Sequence, residues 1–448
     1  MVWTRHTAGG VLLVLAAAAA PGSFAEGAAG EGAAAPGGEP RLDGFVWPDR
    51  IDVAAAARGR PPAFGAAVAV EGDVALIGAP SAAVEGRRSG ACRVVVRTLI
   101  GGDWLSPPGY VLDPGPVGDG ARFGAAIDLG HGIAAVGAPG AHGPGGSLSG
   151  IVRVFAVDVH TGRTRWLADL APPPGSVGAA FGSSVAVGRT ASGAMRIAVG
   201  APRARSAGGV RAGSVLVFER APGGLPADWR AVATLDSPTG GIADDFGASL
   251  CLAGDLVVVG APGTSATAPG AGAAYGFDAD GLRQWSLAPS TPDPLAAAGA
   301  RYGTTVRALA PDRLAVAAFG RAAVEVVELK ASGPGHRALL RGHPIGGFGL
   351  AVAGDADEVW VGAPFAGSGG AGAVHRFVRA GNGYAAVDVL HPDPPTAAGE
   401  FGLAIDVERR DDGSLRAVVG EPASDHPCPV EAPRCASGRA VVYRVDAP

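Results

Sequence analysis

Lysine is almost missing from this 448-residue chain, where Lys330 is the only one. Lys and Arg together number 36 against 41 acidic residues, for a net charge of −5, and no run of one sign stands out. That excludes the basic footprint expected of a protein that binds nucleic acid or an anionic membrane surface. Gly, Ala, Pro and Arg are abundant together, so a single arginine carries little functional signal. Only four cysteines are present, none in close CxxC spacing and none with histidines at matching distance, which argues against a zinc site. The nine histidines are scattered, and HExxH, GxSxG and GxxxxGK[ST] are all absent.

A long apolar run is missing too. The longest, from Val11 to Ala20, is about half the ~20 residues a spanning helix needs. It follows Arg5 and His6 and precedes Ser23-Phe24-Ala25, a small-x-small site. This is the pattern of a secretory signal peptide over 1–25, cut after Ala25, with no Cys after it for a lipid anchor. The expected location is therefore secreted, periplasmic or at the cell surface. Residues 26–44 carry almost no large apolar side chains and read as a Gly/Ala/Pro-rich flexible tether. In an exported chain, Cys428 and Cys435, seven positions apart in CPVEAPRC, are expected to form a disulfide. Cys92 and Cys251 lie inside apolar strand patterns and read as buried free thiols.

What the sequence does hold is a repeat. An aromatic-Gly pair recurs seven times, at Phe64-Gly65, Phe123-Gly124, Phe181-Gly182, Phe246-Gly247, Tyr302-Gly303, Phe348-Gly349 and Phe401-Gly402. A Gly-x-Pro follows 14 to 19 residues later in six of them. These are Gly78-Ala79-Pro80, Gly137-Ala138-Pro139, Gly200-Ala201-Pro202, Gly260-Ala261-Pro262, Gly362-Ala363-Pro364 and Gly420-Glu421-Pro422. The fifth copy reads Ala317-Ala318-Phe319.

Each unit has four short runs rich in Val and aromatics, bounded by Gly and Pro, which read as strands. Four strands per repeat of this length is the signature of a propeller blade. The fold expected over 45–448 is thus all-β, a seven-bladed β-propeller of four-stranded blades. Small residues after the aromatic-Gly pair suit innermost strands near a narrow axis. The Gly before each Pro is expected to supply unusual backbone angles, and the Pro to end the second strand. The seventh unit stops after its third strand at Val445, whereas Phe45 to Val53, with Trp47, resembles a spare fourth strand. The ring is therefore expected to be closed by an N-terminal strand.

The stretch GSVLVFERAPGGLPADWRAVATLDSPTGGIADDFGASLCLAGDLVVVGAPG at 213–263 closely resembles the bacterial FG-GAP repeat family, related to the propeller head of integrin α subunits. Seven copies make that resemblance specific for the fold, a scaffold that hosts several functions. Integrin-type repeats often hold Ca²⁺ in the first hairpin. Here the aligned positions are Gly188, Thr190, Ser192 and Arg196 around Gly193, and Glu408, Arg410, Asp412 and Arg416 around Gly413. Arginine supplies no oxygen to a hard cation, so no calcium and no other cofactor is expected, with a guanidinium in the cation's place. Asp278-Ala279-Asp280-Gly281 reads as a hairpin turn.

The expected function is a non-enzymatic, monomeric binding propeller for an extracellular protein or glycan. Its binding face would be the one with long second-to-third loops: 81–90, 140–150, 203–212, 263–272, 365–372 and 423–437, low at blade 5. Trp47, Trp104, Trp166, Trp229 and Trp285 read as inter-blade packing. Two alternatives remain open. One is a carbohydrate-active propeller using Asp128 and Asp406 as axial carboxylates. The other is a quinoprotein-like propeller or assembly scaffold, suggested by Asp158, Gly162 and Trp166.

Overall fold

The computed structural model of the chain describes residues 38–446, except 47–62, 85–86, 99–102, 107–109, 207–208, 279, 291–296, 427–434 and 437. The expected signal peptide, and residues 26–37 of the expected tether, lie outside them.

Seven antiparallel sheets form the blades of a ring. In blade 2 the strands run Ala126–Gly130, Ile133–Ala138, Ile151–Val157 and Thr164–Leu170. Blade 3 has Ser184–Arg189, Met195–Ala201, Ser214–Arg220 and Arg230–Asp236; blade 4 has Ser249–Ala253, Leu256–Ala261, Ala273–Phe277 and Arg283–Leu287. Blade 5 has Tyr302–Ala310, Arg313–Ala318, Ala323–Lys330 and Gly333–Arg341; blade 6 has Val352–Gly354, Glu358–Ala363, Ala373–Ala380 and Gly383–Leu390. Blade 1 has Ala67–Glu71, Val74–Ala79 and Ala91–Arg97, with an outer strand in two pieces, Trp104–Leu105 and Val111–Leu112, both paired to the third strand. Pro107 and Pro108 fall between the pieces, and proline cannot donate to a ladder.

Blade 7 combines Ala404–Arg409, Leu415–Glu421 and Arg439–Val445 with Pro40–Val46 from the N-terminus. Closure by an N-terminal strand therefore stands, but the strand lies five residues earlier than expected. Residues 40–44, assigned to the tether on composition, belong to it, and Trp47 lies outside the described residues. A strand paired through its backbone at a sheet edge need leave no mark in composition. Pro40–Val46 runs antiparallel to Arg439–Val445 with a register shift between Leu42 and Gly44. That shift leaves Asp43 out of the ladder, where it accepts a hydrogen bond from Trp104 Nε1 (3.1 Å) and pairs with Arg97 (3.5 Å) in blade 1.

The seven aromatics of the repeat are fully buried, each worth about 1.5–3 kcal/mol of apolar burial. Most meet a third-strand ring of their own blade edge to face, as in Phe181–Phe218 (6.2 Å between centroids) and Phe348–Phe377 (6.1 Å). The following Gly has φ between +84° and +93° in all seven blades, a region only glycine enters without strain.

The Gly of Gly-x-Pro has a different task from the one expected. It lies in an extended strand, with no positive φ. A Cβ at Gly78, Gly137, Gly200, Gly260, Gly362 or Gly420 would overlap the carbonyl oxygen of the aromatic-Gly glycine in the next blade, Gly124, Gly182, Gly247, Gly303, Gly402 or Gly65. The two signatures are therefore halves of one inter-blade contact. The second strand does end at the residue before Pro, as expected.

Blade 5 diverges in a coupled way. Ala317 replaces the glycine, so at the junction with blade 6 it is the Ala317 methyl that lies beside Gly349. Tyr302 replaces Phe, and its hydroxyl donates to Glu325 Oε2 (3.0 Å). That buried carboxylate also accepts from Ser290 N (2.8 Å), Ser290 Oγ (2.5 Å) and Arg337 (3.0 Å).

Candidate functional site

Innermost strands present one unpaired edge to the axis, and their N–H groups need acceptors there. The residue five positions after each repeat aromatic falls in the first strand of its blade, and Asp128 and Asp406 turn their side chains to the next blade there. The seven are Ala69, Asp128, Ala186, Cys251, Arg307, Ala353 and Asp406. One layer of the bore thus holds two carboxylates, one guanidinium and one thiol among alanines.

Asp128 and Asp406, the candidate axial pair, are both committed to the ring. Asp128 accepts from Val187 N (2.6 Å) in blade 3, and Asp406 from Val70 N (2.8 Å) in blade 1. Arg307 reaches across from blade 5 and ion-pairs with the other oxygen of Asp406. Burial pushes the Asp128 carboxyl up to about 6, opposed by Arg307 and reinforced by Asp406. Burial likewise pushes the Cys251 thiol up to about 12 and raises Cys92 further. Both thiols are free and buried, as the strand pattern suggested, and they are poor nucleophiles.

Asp128 has a measurable signature. An unfolded Asp titrates near 3.9, so between about pH 4 and 6 the unfolded chain loses a proton that the folded ring keeps. The stability Asp128 allows is full below that window and falls across it to a lower plateau. Asp128→Asn retains an acceptor for Val187 N–H and has no charge to bury. It should leave the melting temperature unchanged at pH 4 and raise stability at pH 7.5 by about 1–2 kcal/mol, discounted for water in the bore. Thermal unfolding at the two pH values is the check, and equal shifts at both would refute the account.

At the hairpin face, the positions aligned with calcium ligands hold inter-blade clasps. Arg196 donates to the carbonyl of Asp255 in the blade 4 hairpin (2.6 Å) and to Glu219 (2.6 and 2.8 Å). Arg416 and Arg410 both donate to the carbonyl of Gly72 in the blade 1 hairpin, while Glu408 accepts from Gly72 N (2.9 Å). Thr190 and Ser192 bond each other (2.9 Å), Gly193 and Gly413 take positive φ in their turns, and Asp412 accepts from Ser414 N (2.9 Å). Gly188 sits in the first strand of blade 3. Asp278 accepts from the N–H of Asp280 and Leu282 with Gly281 at φ +79°, the hairpin turn expected. Asp158 makes a similar turn with His160 and Thr161.

The tryptophans divide. Trp104 is buried, and Trp229 and Trp285 border inter-blade clusters. Trp166 is half exposed and lies under Arg153 of its own blade, so the inter-blade expectation fails for it.

The opposite face carries the long loops. Several are self-bracing, with bridges Val84–Arg87, Gly143–Gly146 and Arg205–Arg211. In the seventh, Asp425–His426 pairs with Cys435–Ala436. Cys428 lies outside the described residues, so its pairing with Cys435 stays an expectation. Blade 5 has only the short turn Phe319–Arg321. Sequence reading missed a third signature here. The Gly opening the third strand (Gly90, Gly150, Gly272, Gly372, Gly438) bridges the next blade's repeat aromatic in parallel fashion. It also missed that the residue before every repeat aromatic is left-handed, from Ala63 to Glu400, six of the seven being non-glycine. The glycine was visible as a fixed offset; the left-handed residue has no common side chain to betray it.

No curated protein matches the chain. The family model for the FG-GAP repeat matches residues 229–277, which run from the outer strand of blade 3 through the third strand of blade 4. With the same buried aromatic in every other blade and the same glycine contact in all of them but blade 5, this chain is an FG-GAP β-propeller protein.

Proposed function

We propose that this protein is an exported, non-enzymatic binding module that recognises an extracellular protein or glycan through its long-loop face. The observation that carries this reading is where large apolar side chains stay exposed. Leu148, Val177, Ile242, Ile345 and Phe365 all belong to second-to-third or fourth-to-first connections, which alternate strand direction places at one end of the ring. Ile242 and Ile345 are 84% and 80% exposed. The hairpins at the other end contribute only Leu225 and Leu282 among the described residues. Exposed apolar groups set among polar loops on a rigid scaffold suit a recognition surface. Asp128 and Asp406 are tied to backbone donors and to Arg307, which favours a structural over a catalytic role for them.

The test is a glycan and protein array probed with the mature chain, followed by paired substitutions on any hit. Ile242→Asp with Ile345→Asp should weaken binding at least tenfold, the scale of losing buried apolar anchors, with no change in unfolding temperature. Leu225→Asp with Leu282→Asp should leave binding intact. The reverse pattern would move the site to the other face.

A further inference from the structure

On the hairpin face, away from the long loops, a cleft of ≈ 350 Å³ opens between blades 2 and 3. Its floor is apolar, with Ile133, Leu167 and Met195. Three arginines line it: Arg165 from the outer strand of blade 2, Arg189 from the end of the first strand of blade 3, and Arg220 from the end of its third strand. No Asp or Glu is among the residues that line it. Elsewhere in this protein, arginines near carboxylates are paired, as Arg153, Arg196, Arg376 and Arg439 are. Arg165 and Arg189 are exposed, and neither has a carboxylate partner among the described residues. Arg220 is held in place by stacking on Trp229 (5.1 Å) and by the carbonyl of Pro226 (3.4 Å). Burial and the nearby Arg165 both work against its charge. Like charges gathered around a concave apolar floor raise the energy of the empty site, and an anion relieves it.

We infer that this cleft is a binding site for an oxyanion, a sulfate or phosphate group, carried on a body about the size of one sugar ring. Guanidinium groups suit such oxygens because they donate in a planar fork. The sugar-sized body would lie on the Ile133–Leu167–Met195 floor. Single arginines carry little weight in an arginine-rich sequence, but three converging on one cleft without a counter-charge do.

The experiment is calorimetric titration of the mature protein at low ionic strength with glucose 6-sulfate, glucose 6-phosphate, inorganic sulfate, inorganic phosphate and glucose. Saturable binding of the charged sugars and none of glucose is expected, weakening as salt is added. Arg165→Gln with Arg189→Gln should weaken it at least tenfold, about the worth of losing charge-assisted hydrogen bonds. Both residues are exposed, so folding is retained, and Arg283→Gln on the outer strand of blade 4 should change nothing. Sulfate or phosphate binding as tightly as the charged sugars would assign the site to the free ion, which still supports the oxyanion site. No saturable binding by any anion, equal binding of glucose, or unchanged affinity in the double variant would each overturn the inference. Because the cleft is on the face opposite the proposed recognition loops, its failure would leave that reading untouched.

Discussion

Deleting residues 26–46 should lower the melting temperature by on the order of 10 °C and produce aggregation, whereas deleting 26–37 should do neither. The longer deletion removes the outer strand of blade 7 and leaves Arg439–Val445 as an open edge. It also removes Asp43, and with it the hydrogen bond to Trp104 and the ion pair with Arg97 that fasten blade 7 to blade 1. Arg376 in blade 6 loses the carbonyl of Gly38 as an acceptor only if the deletion runs past 37. Differential scanning calorimetry with light scattering separates the outcomes. Two truncations that behave alike would refute closure by this strand.

The second large effect is expected at a single methyl group. Gly137→Ala places a Cβ against the backbone carbonyl of Gly182 in blade 3, with only backbone atoms nearby to yield. A clash that no side chain can relieve should cost about 3 kcal/mol or more. Ala317→Gly, at the equivalent position of blade 5, should cost under about 1.5 kcal/mol, since it only empties space already made beside Gly349 and loosens the chain. Thermal unfolding of both variants tests the interlock, and a mild Gly137→Ala would end it.

These two positions also show how far sequence reading reaches. Repeat spacing revealed the blades because every unit must solve the same packing problem, and the solution is written in residues such as Phe181 and Gly200. It misjudged why the glycine is there. The partner of Gly200 is Gly247 in the next blade, and a contact between units leaves no mark inside either one. The tether boundary failed for a related reason, since PRLDGFV pairs through its backbone with a strand some 400 residues away. Of the candidate site, the axial layer was legible in part. Asp128 and Asp406 stood out as acids in apolar strands, yet Arg307, their counter-charge, was hidden by being one arginine among many. The cleft of Arg165, Arg189 and Arg220 was invisible, because three strands of two blades must fold before those side chains meet.

The seam in blade 7 has a further consequence for how the chain can be reconnected. Pro40 and Val445 are direct partners in the ladder, and Gly38 lies against the backbone of Asp446, so the two ends of the propeller sit side by side. A turn of two to four residues, the usual length for a hairpin, would join Asp446 to Glu39 without moving either strand. New ends could then be opened in an exposed third-to-fourth hairpin such as that of blade 4, between Phe277 and Arg283. Such a circular permutant keeps the Asp43 contacts with Trp104 and Arg97, gives up only the Gly38 carbonyl that Arg376 uses, and carries its fourth strand within its own blade at the old seam. The ring has no obligatory first blade.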